Sequence, residues 1–205
     1  LLVNSFYENQ MIFVDGGSDD GGDQYINTQQ HCTLIRSEKG RAKQMNLGAK
    51  AATFKLLYFL HVDSIPPKNF DSHILEKNAL GAKAGCFQLQ FDSSKKALKW
   101  SAYATRFNVR FCRGSDQSLF IDKVLFDQLN GFNETYQVCE DGELIDRIYK
   151  NNGFCVLPQK ITTSARRFEE NVVWRLHYHH GIIHLMRFIG CSPKQLSRYY
   201  SAFVK

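Results

Sequence analysis

Short hydrophobic runs ending on an acid or a polar turn recur along the chain, and segments of helical period lie between them. Met11-Ile12-Phe13-Val14 ends on Asp15, Cys32-Thr33-Leu34-Ile35-Arg36 follows, and Leu56-Leu57-Tyr58-Phe59-Leu60 turns polar at His61, Asp63 and Ser64. Runs of this length read as buried strands of a parallel sheet, and Pro66 and Pro67 stop the third one. Ala84–Phe91 alternates like a strand, and Ser118–Ile121 and Phe154–Leu157 are further strand candidates. Ala42, Met45, Ala49 and Ala52 share one face of a helix that starts near Gly40. Other helices are predicted near Asp20–Gln30 with Ser18 or Asp19 as cap, over Phe70–Leu80, over Lys95–Phe111, and in a short piece closed by Gly131. After Glu140 an apolar face is carried by Leu144, Ile145, Ile148 and Tyr149, and two more helices cover Asn171–Ile189 and the stretch ending at Arg198-Tyr199-Tyr200. Strands alternating with helices make this an α/β chain.

The 205 residues are enough for one domain with a full core, expected to span 1–205 with C-terminal helices from 170 to 205 packed on it. Hydrophobic content of 43% and charged content of 22% are ordinary for a globular protein. The formal charge of +6 favours anionic partners. The basic residues are scattered with no run of like charge, which argues against nucleic acid as the partner. Six cysteines without a C-x-x-C pair argue against a zinc site and for reduced thiols in the cytoplasm. No run approaches the roughly 18 apolar residues that a membrane-spanning helix needs, and no signal peptide is recognisable. The start, Leu1-Leu2-Val3, lacks an initiator Met, so the chain is expected to be incomplete.

The candidate chemistry lies where strands end, since ligands of open α/β sheets bind beyond the carboxyl ends of the strands. Asp63 either closes a turn or holds Mg²⁺ or Mn²⁺, which take oxygen ligands. Asp15 leads into Gly16-Gly17-Ser18-Asp19-Asp20-Gly21-Gly22, and either forms an Asx-type turn or bonds a base or ribose. This loop fits neither a calcium-binding hand nor a G-x-G-x-x-G fingerprint. Lys39, Gly40 and Arg41 stand at a helix start, where backbone N–H groups favour a diphosphate; the other reading is solvated charge. Glu140 and Asp141 lie at another helix start, as common first-turn acids or as a general base. His177, His179, His180 and His184 have metal-compatible spacing on one helix, without the acid of an H-E-x-x-H motif.

Taken in order, these stretches resemble the inverting glycosyltransferases of family 2, in particular a bacterial subgroup termed arsenosugar biosynthesis glycosyltransferase-like. The matching pieces are Val14-Asp15-Gly16-Gly17-Ser18 with Asp20-Gly21, and Gly40-Arg41-Ala42 with Gln44-Met45-Asn46 and Gly48-Ala49. They continue with Phe59-Leu60-His61-Val62-Asp63, Gly114-Ser115-Asp116-Gln117, Gly131-Phe132 and Glu140-Asp141. The resemblance implies a GT-A fold, a Rossmann-like architecture with a mostly parallel, mixed central sheet flanked by helices. It implies that Asp15, with Gly16, Gly17 and Ser18, meets the nucleotide, and that Lys39, Gly40, Arg41, Asn46 and His61 lie on the nucleotide-sugar donor. Asp63 would be the last acid of a D-x-D-type motif holding Mn²⁺ or Mg²⁺. Asp141, with Glu140 beside it, would be the catalytic base, and Asp116 and Gln117 would line the acceptor side.

Three departures stand out. His61 occupies the place of the first D-x-D acid, as the subgroup tends to have, and a histidine from 177–184 is a candidate further ligand. The chain is expected to start after the family's usual first strand, and the Gln-x-x-Arg-Trp motif of processive synthases is absent from it; Arg166-Arg167-Phe168 and Trp174 are the nearest material. Single-sugar transfer to a hydroxyl acceptor is therefore expected, with a lipid-linked acceptor open. The aromatic and basic C-terminal residues Trp174, Arg175, Met186, Arg187, Phe188, Arg198, Tyr199 and Tyr200 either pack in the core or touch the inner face of a membrane. A nucleotidyltransferase would need a Gly-rich loop with Arg and Lys on the first strand, which the chain does not show. A non-catalytic binding module of the same fold remains the alternative, against which the pair Asp63 and Asp141 speaks.

Overall fold

A computed structural model describes residues 4–5, 7–29, 31–151, 153–166, 168 and 173–204. Leu1-Leu2-Val3, Arg167, Asn171 and the side chain of His177 fall outside the described residues.

The chain begins with a β-α-β unit. Strand β1 (Met11–Asp15) pairs in parallel with β2 (Cys32–Arg36), Met11 opposite Cys32 and Asp15 opposite Arg36, and helix α1 (Gly22–Asn27) makes the crossover. Helix α2 (Arg41–Ala51) packs closely on β1. Gln44 Nε2 donates to the Val14 carbonyl at 2.9 Å, and a Cβ on Gly48 would stand 3.1 Å from Val14 Cγ2.

The remaining strands form a five-stranded sheet: β3 (Leu56–Phe59), β4 (Ser64–Ile65), β5 (Ala84–Phe91), β6 (Leu119–Asp122) and β7 (Phe154–Thr163), in the order β3-β6-β5-β7-β4. β5 and β7 are parallel, whereas β3/β6, β5/β6 and β4/β7 are antiparallel. The sheet is mixed and flanked by helices, as expected, but antiparallel pairs outnumber parallel ones because β6 runs back between β3 and β5. Alternation splits the core in two. Cys86, Leu119 and Ile121 face Ala42, Phe126, Leu144 and Ile148, while their neighbours Phe87 and Phe120 face Phe70, Ile74, Leu157 and Ile161. The helices of the first layer are α2, α5 (Lys123–Gln128) and α6 (Glu140–Lys150), and α3 (Phe70–Ala79) covers the other side.

Several element ends differ from expectation for tertiary reasons. α1 starts after Gly21, not at Ser18 or Asp19, because the Ser18 hydroxyl is turned to Asp15. α4 (Lys96–Ala104) stops short of Phe111, and a 3-10 turn covers Arg110–Cys112. Thr105 Oγ1, which accepts from Leu89 N–H at 2.9 Å, and the buried Arg113, which donates to the Thr105 and Phe107 carbonyls, hold the chain down at that point. β7 runs beyond Leu157 because the register slips between Phe87 and Gln88, placing Pro158 in a bulge where no ladder N–H is needed. The C-terminal pair α7 (Val173–Phe188) and α8 (Pro193–Phe203) buries Leu176, Ile183 and Leu196. Ser192 and Gln195 form a capping box at the start of α8, with Pro193 in its first turn.

Candidate functional site

Both halves of the molecule aim polar groups at one edge. At the end of β1 the Asp15 carboxylate accepts from Ser18 Oγ at 2.6 Å, Ser18 N–H at 3.0 Å and Gly17 N–H at 3.2 Å. The Ser18 hydroxyl, then the Ser18 and Gly17 amides and Arg36, hold the carboxyl below its ordinary range against the pull of partial desolvation. Asp15 therefore shapes the loop that follows. That loop, Gly16–Asp20, faces Lys39, Gly40 and Gln44 at the start of α2 across an open cleft of about 400 Å³, a size that suits a small organic ligand. The cleft is polar, and it borders the N-terminus of α2, which has no side-chain cap among the described residues.

The second group gathers around Arg41, the first residue of α2. Its Nε lies 3.1 Å from Glu140 Oε1 and its Nη2 lies 3.5 Å from Asp141 Oδ2, so α2 and α6 meet through charge. Glu140 Oε1 has no well-angled donor, which makes the contact an ion pair rather than a hydrogen bond. Arg41 Nη2 also approaches His61 Nε2 at 2.5 Å. The same Nη2 stands 3.2 Å from His61 Nδ1, and that nitrogen is 4.0 Å from Asp116 Oδ1, so the imidazole is wedged between Arg41 and Asp116. A small cavity between Phe59, His61, Gly114, Ser118 and Asp141 marks the centre of the cluster.

Asp141 sits in the first turn of α6 with its side chain 13% exposed. Burial pushes its carboxyl up to about 7; Arg41 pulls it down, and Glu140 and Asp116 push it further up. A carboxyl that ionises near neutrality at a helix start is suited to taking up a proton. Asp63 is exposed in the turn between β3 and β4 and makes no hydrogen bond or ion pair among the described residues. No group of three or more His, Cys, Asp or Glu side chains gathers there among those residues. One free carboxylate suits an Mn²⁺ or Mg²⁺ ion whose other ligands come from phosphate oxygens and water.

Other candidate residues are bonded within the scaffold. Asn46 donates from Nδ2 to the Phe132 carbonyl and to Glu134, and accepts from Phe132 N–H, each at 2.9 Å, so it clamps the loop after α5. Gln117 is buried, with Nε2 on the Phe87 carbonyl and Oε1 accepting from Gly114 N–H; it holds the loop that presents the half-exposed Asp116. His179 bonds Tyr199 and stacks on Phe203. Burial, with the charges of Arg187 and His180, pushes His184 down to about 4, so it stays neutral.

Sequence reasoning named Arg187 only among the C-terminal basic residues, without its place beside α6, and passed over Gly142. Arg187 reaches from α7 over the first turns of α6 and pairs with Asp146 at 3.3 Å, and a Cβ on Gly142 would fall 1.6 Å from its Nη1. The available signal was a glycine inside the helical stretch Glu140-Asp141-Gly142-Glu143, where glycine usually marks a close approach.

The family described as Glycosyl transferase family 2 matches residues 1–156. No curated protein sequence matches the chain significantly. The fold is similar to a crystal structure of residues 1–349 of S. aureus TarS in complex with UDP, with a TM-score of 0.66 at 14% identity, covering 99% of this chain and 64% of that one. It is also similar to the mannosyltransferase PcManGT from Pyrobaculum calidifontis in complex with GDP-Man and Mn²⁺, with a TM-score of 0.61 at 15% identity, covering 88% and 55%. The chain thus spans less than two thirds of the length of either structure.

Proposed function

Because the chain belongs to glycosyl transferase family 2, we propose that it moves one sugar from a nucleotide-diphosphate donor to an acceptor hydroxyl, with inversion at the anomeric carbon. The observation that carries this reading is the buried Asp141 at the α6 N-terminus, ionising near 7 beside Arg41. The nucleotide lies in the cleft between Gly16–Asp20 and Lys39-Gly40, with its diphosphate towards Arg41 and the α2 N-terminus. Asp141 takes the proton of the acceptor hydroxyl, and the oxygen bonds to the anomeric carbon from the face opposite the leaving group. The bond from that carbon to the phosphate oxygen breaks, and its electron pair leaves with the diphosphate. Asp63 is the residue that would hold a divalent cation, which when bound would neutralise charge on the departing diphosphate. Asp116, half-exposed and near His61, lies on the acceptor side. Arg41 draws Asp141 towards its ionised form and is itself drawn to a diphosphate. Donor binding therefore relieves part of that pull and leaves a stronger base.

Isothermal titration of UDP and GDP, each with and without Mn²⁺, against the chain and its Asp63→Ala variant tests the donor half. One nucleotide is expected to bind in a metal-dependent way that Asp63→Ala removes. Binding of neither nucleotide, or binding indifferent to both metal and Asp63, sinks the reading.

A further inference from the structure

We propose that α4, the 3-10 turn after it and the exposed flank of α7 form a docking surface for an anionic lipid bilayer. The first observation is the distribution of charge. Residues 93–115 contain Lys95, Lys96, Lys99, Arg106, Arg110 and Arg113 and no Asp or Glu, and residues 173–204 contain Arg175, Arg187, Lys194 and Arg198 and again no acid. All 20 carboxylate side chains of the chain lie outside these two segments. The two segments meet in space: Phe111 contacts the His184 ring at 5.6 Å, and Arg110 lies 5.7 Å over the Phe188 ring.

The second observation is what this side exposes. α4 buries Leu98 and turns Lys96, Lys99, Trp100 and Tyr103 outward. Trp100, Tyr103 and Phe107 form an edge-to-face ladder with centroids 6.4 and 6.2 Å apart, and Arg106 stacks on Tyr103 at 4.6 Å. Trp100 is 74% exposed, Phe111 71% and Phe188 72%, and Val109 and Ile189 stand in the open beside them. Apolar surface of this extent on a globular protein marks a contact site. Asp146 meets this side from α6 but is neutralised by Arg110 at 2.9 Å and Arg187 at 3.3 Å, and Arg113 is buried; the exposed tryptophan and tyrosine interleaved with Lys95, Lys96, Lys99 and Arg106 match the chemistry of the head-group layer of an anionic membrane. Val109 and Ile189 have no use in stacking on bases, which separates this surface from one for nucleic acid. Among the described residues no helix is long and apolar enough to cross a membrane; the contact proposed for this face is with the head-group layer. Within the C-terminal helices, Trp174 and Phe188 are exposed on the surface, whereas Arg187 is turned inward onto Asp146.

The test is co-sedimentation of the full chain with vesicles of phosphatidylcholine alone or with roughly a third phosphatidylglycerol. Partition onto the anionic vesicles and release by salt are expected. Trp100→Ser with Phe107→Ser, and separately Lys96→Glu with Lys99→Glu, should each weaken partition by about tenfold or more. All four positions are exposed, and an unchanged thermal midpoint checks that the variants fold. The proposal is overturned by no preference for anionic vesicles or by partition undiminished in both variants. It is equally overturned by sedimentation velocity showing that the face joins two copies of the chain and that the same substitutions separate them.

Discussion

The Asp141 carboxyl is held between burial, which favours its protonated form, and Arg41, which favours the ionised one. Its ordinary value is 3.8 and its folded value is about 7. Between those two pH values the folded chain keeps a proton that the unfolded chain has released. Asp141 therefore lowers stability progressively as pH rises through that window, and by a constant amount above it. Asp141→Asn should melt at a higher temperature than the natural chain, by a margin that is absent in acid and grows up to neutrality. Turnover should fall by ~100-fold or more, and the natural chain's kcat/KM should rise across pH 7 as the base ionises. A melting difference independent of pH, or full activity in Asp141→Asn, contradicts the assignment. The Glu140-Asp141 pair was legible in the sequence because first-turn acids next to an apolar helical face form a local pattern. Its partner Arg41 was legible only as a charge at a helix start, since nothing local shows that the two helix starts face each other.

At the scale of elements, α6 and α7 are joined where Gly142 makes room for Arg187. On an isolated helix, Gly142→Ala would add about 1 kcal/mol of stability. Here the new methyl displaces a guanidinium whose side chain is 9% exposed, parting it from Asp146. Losing a buried charged contact costs about 1–3 kcal/mol, so the net change should be destabilising. In the Arg187→Ala background the same substitution should be neutral or stabilising. A urea double-mutant cycle reads this as a coupling of about 1 kcal/mol or more; additive effects would mean that Arg187 does not rest on Gly142. Element positions were largely readable from period. β2 and β5 occupy the predicted residues because each alternates or runs apolar over its full length. The end of α4 was not readable, because the aromatic pattern continues to Phe111 while the chain is stopped by Thr105 on β5 and by Arg113 on the helix carbonyls.

Over the whole molecule the two sheets differ in strength. β1 and β2 form a two-stranded sheet with no fully buried residue, whereas β5 is flanked by β6 and β7 and its first four residues are buried. Two strands without a buried face are marginal on their own, and the less stable part of a fold is where ligand-binding loops belong. Amides of β1, β2 and the Gly16–Asp20 loop should exchange with solvent faster than those of β5 and β7, and the nucleotide that binds should slow them selectively. Equal protection of both sheets without ligand would refute this. The sequence by itself determined the alternation of strands and helices, the acids at strand and helix ends, and the family, because these rest on local period and on short motifs kept in order. Only the tertiary structure decided that β6 runs back between β3 and β5, that Asn46 and Gln117 brace loops, and that Arg41 gathers His61, Glu140 and Asp141. It also brought the two acid-free segments onto one side. Each of these depends on which distant residues meet, and hydrophobic period records which face of an element is buried without recording against what.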